Sequence, residues 1–593
     1  MRYFIRLGCV IVFCFSAQAQ DTSVYIPSQY LYKWITDLKN IILVSPKKHS
    51  ETDTFNVAFN MERHLSMEGR TITEIGIIQL KPFGTDVDGS LRSDTSFLER
   101  AGNALHRNTR EFIIRNALFF HEGDILDAVK IADSERYLRS LHYIRDVRID
   151  AVPSGENEVK VTVVIQDIFP YSVNFGTNFS SRGQFALSNK NIFGFGLDVA
   201  AGVFMDAQQK HLMGYETDIS IHNLGHSHIS LKSNYLDRYE HRKAGVSLNR
   251  DFYTPSIRYA GNITYYNEQT SVRYFATDSS GGDNPVVRFR YFDSWLGRSF
   301  LINRRTHSMS SNITLAMRMQ HTKFLKRPEN AETYYRFQNR TVYLASLSFS
   351  RQTHYTTSLV YNYGRTEDIP YGFLFMLAGG QEYNELYNRP YASASASTGY
   401  FVPFLGYFSH AATYGTFFRN GATEQEALDV YTDYISNLMV TGRFKQRIFI
   451  STRYSAQLNN RLNDHLNISG DMGIPGFRND SVYGRHRLNL SLEFDLFSPW
   501  DIKGFRMVWY AFSNFCWLND YENFFRQNTL YSSFGFGIRI RNERLVIKTL
   551  QLQVAFFPNI PKHSNFRYIH LSKENVLTPR HFTAKAPEIV SLY

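Results

Sequence analysis

From Phe169 to about Glu574, apolar and polar residues alternate with a period of two. The runs Leu488–Leu496, Phe534–Arg541 and Leu550–Phe556 keep the rule without a fault, and Ile313–Met319 keeps it with one small residue. One face of each segment is apolar, and the other carries charged, polar or small residues. Such a pattern predicts β-strands. Candidate strands run to about nine to eleven residues, the length that crosses a bilayer at a tilt. About 400 residues at roughly 25 per strand and connection predict about sixteen strands.

Ahead of this region the period changes. Thr71–Leu80 reads as a strand, and Asn108–Leu118 as a helix stopped by Gly123–Asp124. A second helix follows, with Asp133 and Ser134 as candidate caps and Leu138 and Leu141 on its apolar face. Val147–Val152 and Val159–Ile168 complete a strand–helix–helix–strand–strand unit, enough for one small α+β domain. The expected division is 1–19 export signal, 20–69 N-terminal segment, 70–169 small domain, 170–575 β region and 576–593 tail. Ser28–Leu43 reads as an amphipathic helix. Thr423–Glu426 reads as a capping box that starts a short loop helix. The stretches 270–286 and 365–390 read as long loops.

Composition decides what surrounds the strands. The chain has 593 residues, with 48 Phe, 38 Tyr and 5 Trp, yet no run of eighteen apolar residues follows the start. A helical membrane bundle is excluded. A soluble sandwich would bury the apolar faces and expose Arg539 and Arg541, and so many strands would need a very large common core. A transmembrane barrel inverts this, turning the apolar faces to lipid and the small or charged ones to a wet lumen. Met1–Arg6, the apolar Leu7–Phe15 and Ala17–Gln18–Ala19 have the layout of a secretion signal. Its removal takes the formal charge from +11 to +9 and leaves Cys516 as the one cysteine, so neither an internal disulfide nor a thiolate metal cage is expected. The positive excess is scattered, which argues against nucleic acid as a partner. No His-Glu-x-x-His or Gly-x-Ser-x-Gly is present, Asp86–Gly89 is too short for a calcium loop, and neither an enzyme nor a cofactor is expected.

Several motifs together carry a family likeness. Residues 71–168, with the run Leu138, Leu141, Ile144, Val147 and Ile149, resemble a POTRA domain of the BamA/TamA superfamily of outer-membrane assembly proteins. Asn189–Gly196 resembles that family's Asn-Leu-Phe-Gly-x-Gly turn. Gly473–Ile474–Pro475–Gly476–Phe477–Arg478 resembles its Val/Ile-Arg-Gly-Phe/Tyr loop, followed by a strand ending Leu492–Glu493–Phe494. The resemblance implies a bacterial outer-membrane barrel with its N-terminal domain in the periplasm. It also implies a loop folded into the lumen and a weak seam between Ser172–Ser181 and the closing strand near Phe566–Leu571.

The implied task is insertion of outer-membrane proteins or translocation of polypeptide. Implied partners are unfolded outer-membrane or secreted chains, outer-membrane lipid or lipopolysaccharide, and accessory subunits of an assembly complex. The chain departs from the family at Pro475, where the family has Arg, and at Asn514, near where it has Asp. The loss of both charges leads to the expectation that Arg478 or Arg485 pairs with Glu493 to hold the loop. Pro587 suits neither a central strand nor its ladder, so the tail is expected to lie in the periplasm or the lumen. The rival function is a passive channel, or a structural barrel that docks partners in a larger complex.

Overall fold

In the computed structural model the small domain begins with β1 (Thr71–Leu80), α1 (Phe97–Leu105), α2 (Glu111–Arg115), α3 (Ala128–Ser140), β2 (Ile144–Pro153) and β3 (Glu158–Asp167). The structure describes residues 60–592 except 90–96, 178–181, 208–212, 272–285, 305–309, 329–333, 460–464, 470–472, 479–481, 520–527, 560–564, 573–578 and isolated stretches of one or two residues. The export signal, Ser28–Leu43 and the 270–286 loop fall wholly or mainly outside the described residues.

β3 is the central strand of the small sheet, parallel to β1 and antiparallel to β2. Alternate residues Val159, Val161, Val163 and Ile165 pack with Ile131 and Leu138 of α3, as a sheet with one covered face requires. The expected order of elements is present, with two corrections. The predicted 108–118 helix is only the five residues of α2, and α1 stands ahead of it. Asp133 and Ser134 lie inside α3, whose N-cap is Asp127, accepting from the Val129 and Lys130 amides.

The second sheet is antiparallel and its strand order closes on itself. Its members are β4 (Tyr171–Thr177), β5 (Arg182–Asn189), β6 (Leu197–Asp206), β7 (Met213–Ile221), β8 (Ser230–Arg238), β9 (His241–Arg250), β10 (Tyr259–Ser271), β11 (Val286–Arg304), β12 (Ser310–Lys326), β13 (Arg340–Thr357), β14 (Glu367–Asn384), β15 (Asn388–Val402), β16 (Gly406–Arg419), β17 (Ala422–Ser436), β18 (Met439–Thr441) and β19 (Phe444–Leu458). After the short loop strands β20 (Leu466–Asn467), β21 (Phe477–Arg478) and β22 (Tyr483–Gly484) come β23 (His486–Ile502), β24 (Phe505–Asn519), β25 (Thr529–Asn542) and β26 (Leu550–Phe556). β27 (Asn565–Phe566) pairs with β21, and β28 (Ile569–Ser572) closes the ring.

Among the described residues the ring holds twenty-one strand segments, and β17 and β18 together make one interrupted partner for β19. Sixteen was an undercount because many connections are tight turns. Residues 367–384 and 388–402 are strands with a short turn between them, where a long 365–390 loop was expected. The predicted capping box at Thr423–Glu426 is likewise the start of β17. Asn420 and Gly421 before it both have positive φ (51° and 76°), the Asn-Gly hairpin turn that forces the chain straight back as a strand.

The direction of the alternation is plain on β12. Leu315 and Met317 are 52% and 72% exposed on the outside, while Thr314 and Ala316 are 2% and 4% exposed on the inside. β26 repeats it, with Leu550, Leu552, Val554 and Phe556 outward and Gln551, Gln553 and Ala555 inward. The ring thus wears its apolar side outside, the reverse of a soluble sandwich.

Candidate functional site in the barrel lumen

The connection between β19 and β23 turns inward. β20 and β22 pair at its neck. Beyond them Ile474 N–H donates to the Ile468 carbonyl at 2.9 Å, and Phe477 N–H to the Ile474 carbonyl at 3.1 Å. Gly473 allows this fold, because any Cβ there would strike the Ile468 carbonyl, and Gly476 sits at φ 83°. Ile468, Ile474 and Phe477 are fully buried against the inward side chains Tyr510, Phe512 and Cys516 of β24, together with Ala555 and Phe557. The loop Gly473–Phe477 is thus folded against the inner face of the wall.

What holds it differs from expectation. Glu493 faces the lumen, but its partner is Arg539 of β25, whose Nη1 and Nη2 reach its two oxygens at 2.8 Å each. The same guanidinium contacts Asp495 at 3.2 Å and Gln551 at 3.1 Å, and stacks 4.0 Å over the Tyr510 ring. Arg485 instead bridges strands through its main chain, its N–H donating to the Asn519 carbonyl and its C=O accepting from the Gln457 amide. The Arg478 side chain lies outside the described residues. Asn514 donates to Ser533 Oγ directly across from it at 3.1 Å.

The reason is geometric. Arg539 lies on the inner face of β25, two strands from Glu493 and on the same strand as Gly535 and Gly537, which stand opposite Phe512 and Tyr510 of β24. A Cβ on either glycine would lie 2.5–2.6 Å from the Phe512 or Tyr510 ring. The missing side chains let the two rings lie flat, making the floor on which the loop rests and the surface that Arg539 stacks on. The loop itself is docked by apolar contact, so no charged residue is needed at Pro475 to hold it.

The C-terminal tail is also in the lumen. Phe582 and Ala584 are buried near the end where the small domain sits, Ala584 among Phe252, Ile257 and Ala260. Farther along, Ile589 packs on Val342, Leu344, Tyr391 and Phe417. Leu592 ends beside Ala427 and Leu466 at the opposite mouth. Residues 579–592 join no sheet, which reconciles Pro587 with a place inside a barrel.

Two further charged groups that sequence reasoning missed brace this side. Arg389 is fully buried between Glu382 and Glu424, 3.1 Å from each, with its guanidinium 3.7 Å from the Phe417 ring. Arg318 makes a two-point pair with Asp293 at 2.8 and 2.9 Å. The visible signal was the run Tyr391–Ala–Ser–Ala–Ser–Ala–Ser397, whose serines point inward and leave space for another chain.

The small domain is joined to the ring at the Phe582–Ala584 end. Asn191 is buried in the Asn189–Gly196 turn. It donates to Thr109 Oγ1 at 2.8 Å and accepts from the Gly196 amide at 2.7 Å. Asp167 in turn accepts from Thr109 N–H and Oγ1 at 2.8 and 2.9 Å. Gly194, at φ 78°, touches the Asn108 carbonyl so closely that no other residue fits. Across the mouth, Arg139 of α3 grips Asp368 at 2.8 and 3.0 Å. Burial and the Arg250 charge hold His228, stacked on Phe119 at 4.6 Å, down to about 4; burial and neighbouring His142 do the same to His222. A cavity of about 740 Å³ remains between α3, the Phe252–Thr254 turn and Phe582–Ala584.

No family model matches the chain, and no curated protein matches it. Solved structures to which it is similar include these three. One is BamA from Haemophilus ducreyi lacking POTRA domains 1–3, at 11% identity over 84% of each chain with a TM-score of 0.30. A second is CdiB from Escherichia coli, at 12% over 85% of this chain and 75% of that one, TM-score 0.41. The third is CdiB from Acinetobacter baumannii, at 12% over 93% and 98%, TM-score 0.37.

Proposed function

We propose that the chain is an outer-membrane β-barrel of BamA/TamA type, with its small domain in the periplasm, that handles unfolded polypeptide without covalent chemistry. The task is assisting insertion of client outer-membrane barrels or passing a chain across the membrane. The observation that carries this reading is the lumen loop, Gly473–Phe477, docked on the wall by Ile468, Ile474 and Phe477. An outward apolar face suits hydrocarbon and lipid or lipopolysaccharide contact.

Two more features support it. The closing strand, which meets β4 at the seam, is short: it spans Ile569–Ser572, and among the described residues four pairs join it to β26, against eighteen between β13 and β14. Such a seam opens at lower cost than any interior pair of long strands. The small sheet also keeps an edge for strand addition by an unfolded client. β1 is partly covered, since Ile72 exchanges hydrogen bonds with Gly123 and Asp124, and Ile75 meets Glu122 and Arg115. Among the described residues β2 pairs only with β3, and apart from Val147, whose C=O and N–H are taken by Arg139 and Asp146, it is the edge on which a client or an accessory subunit adds.

Depletion of the protein tests this directly. Levels of folded outer-membrane barrels or of an exported chain fall if the reading holds, and a proteome unchanged in both overturns it. The rival reading, a passive channel or docking barrel, is favoured by a polar recess of about 480 Å³ bounded by Asp218, Lys232, Lys243 and His222. Steady ion conductance in the resting protein together with unchanged clients would select it.

A further inference from the structure

The wall makes three hydrogen bonds to the tail's backbone, beside a cation–π contact of Arg580 with the Tyr431 ring at 3.5 Å. Phe582 N–H donates to Gln352 Oε1, Arg318 Nη1 donates to the Pro587 carbonyl at 2.9 Å, and Val590 N–H donates to Tyr391 Oη at 2.8 Å. In all three bonds the wall offers a side chain and the tail its main chain, so other sequences in the same extended form satisfy them equally. Side chains fill only a few seats. Phe582 lies against Gly399, whose absent Cβ would stand 2.5 Å from its ring, and Val590 lies against Gly415 at 2.8 Å. Ile589 and Leu592 enter apolar clusters. Because the tail takes no part in the strand ladder, it can leave without opening the ring.

We propose that this track is a binding site for an extended polypeptide segment, with the chain's own residues 580–592 as its resting occupant. The fitting segment has an aromatic residue near the small-domain end and aliphatic residues about seven and ten positions on, matching Phe582, Ile589 and Leu592. The cavity between α3 and Phe582–Ala584 is its way in. That the occupant is a client chain rests on the proposed function; that the track binds extended polypeptide does not.

The test compares the full-length protein with a chain ending at Glu574, each in planar lipid bilayers. The shortened chain conducts more, and a synthetic peptide of residues 577–593 closes it saturably. The same peptide N-methylated at Phe582 and Val590, which removes two donors, binds about tenfold more weakly or worse. Arg318→Ala in the shortened chain weakens the intact peptide. Conductance that stays at the full-length level, an open pore that the peptide does not close, or closure indifferent to methylation each overturns the proposal. Should the shortened chain fail to insert, the full-length double variant Phe582→Ser, Leu592→Ser replaces it: added openings support the track, and silence overturns it. Peptide closure with unchanged client levels on depletion keeps the site and removes the client. Altered clients without peptide closure do the reverse.

Discussion

Two segments fill the lumen, and they are held by opposite means. The Gly473–Phe477 loop contributes Ile468, Ile474 and Phe477 to a closed apolar cluster with the wall, over a floor stiffened by Arg539, Glu493 and Asp495. The tail offers its main chain to Gln352, Arg318 and Tyr391, and seats Phe582, Ile589 and Leu592 singly at separate places along the wall rather than in one cluster. The loop is therefore part of the fold, whereas the tail behaves as a ligand of it. Burial that depends on particular side chains cannot be exchanged, but backbone recognition can.

The contrast breaks most readily at Arg539. Arg539→Met leaves Glu493 and Asp495 facing one another with their shared cation gone, and is expected to cost about 3–5 kcal/mol. Urea titration followed by the heat-modifiable gel shift of the folded barrel measures it, and a loss below about 1 kcal/mol would show that the floor is not braced there. Phe477→Ala opens a cavity in the loop cluster and is expected to cost about 3 kcal/mol in the same assay. Phe582→Ala removes a side chain that is buried just as fully, yet is expected to shift barrel unfolding by less than about 1 kcal/mol, because the tail departs before the ring does. Equal losses at Phe477 and Phe582 would erase the distinction between the two fillings.

The smallest effect concerns the joint with the small domain. Depressed folded values at His222 and His228 mean that the native state favours their neutral forms. The stabilisation is complete above the unfolded value of about 6.5 and is lost as pH falls towards 4. Limited proteolysis of the small domain should thus accelerate over that window. His222→Gln with His228→Gln should flatten the response, and a slope that survives both substitutions would assign it to other groups.

Some of this was legible in the sequence, and the boundary has physical causes. Period-two alternation at Ile313–Met319 and Leu550–Phe556 gave the strands and the sense of their two faces, because side-chain direction in a strand is set locally. The strand number was missed where turns are too short to register as loops, as at Asn420–Gly421. Pro587 correctly barred the tail from a ladder, but nothing local to 579–592 specifies Gln352, Arg318 or Tyr391. The identity of Glu493's partner was equally hidden, since it depends on which residues of separate strands share one height in the barrel. The glycines of Phe534–Arg541 carried a readable hint: inward positions without side chains on one strand imply large rings from its neighbour.

The tail's course also constrains how the molecule is made. It follows the closing strand in the chain, starts at the mouth occupied by the small domain, and finishes beside Leu466 at the far one. A ring sealed beforehand leaves only the entry past α3, open to a free peptide but slower for a tethered chain, so its last residues are best laid against β12–β16 while the seam is still apart. The order of synthesis then becomes an order of assembly. A bulky fusion at Tyr593 should delay maturation of the barrel, whereas the same fusion to a chain ending at Glu574 should not.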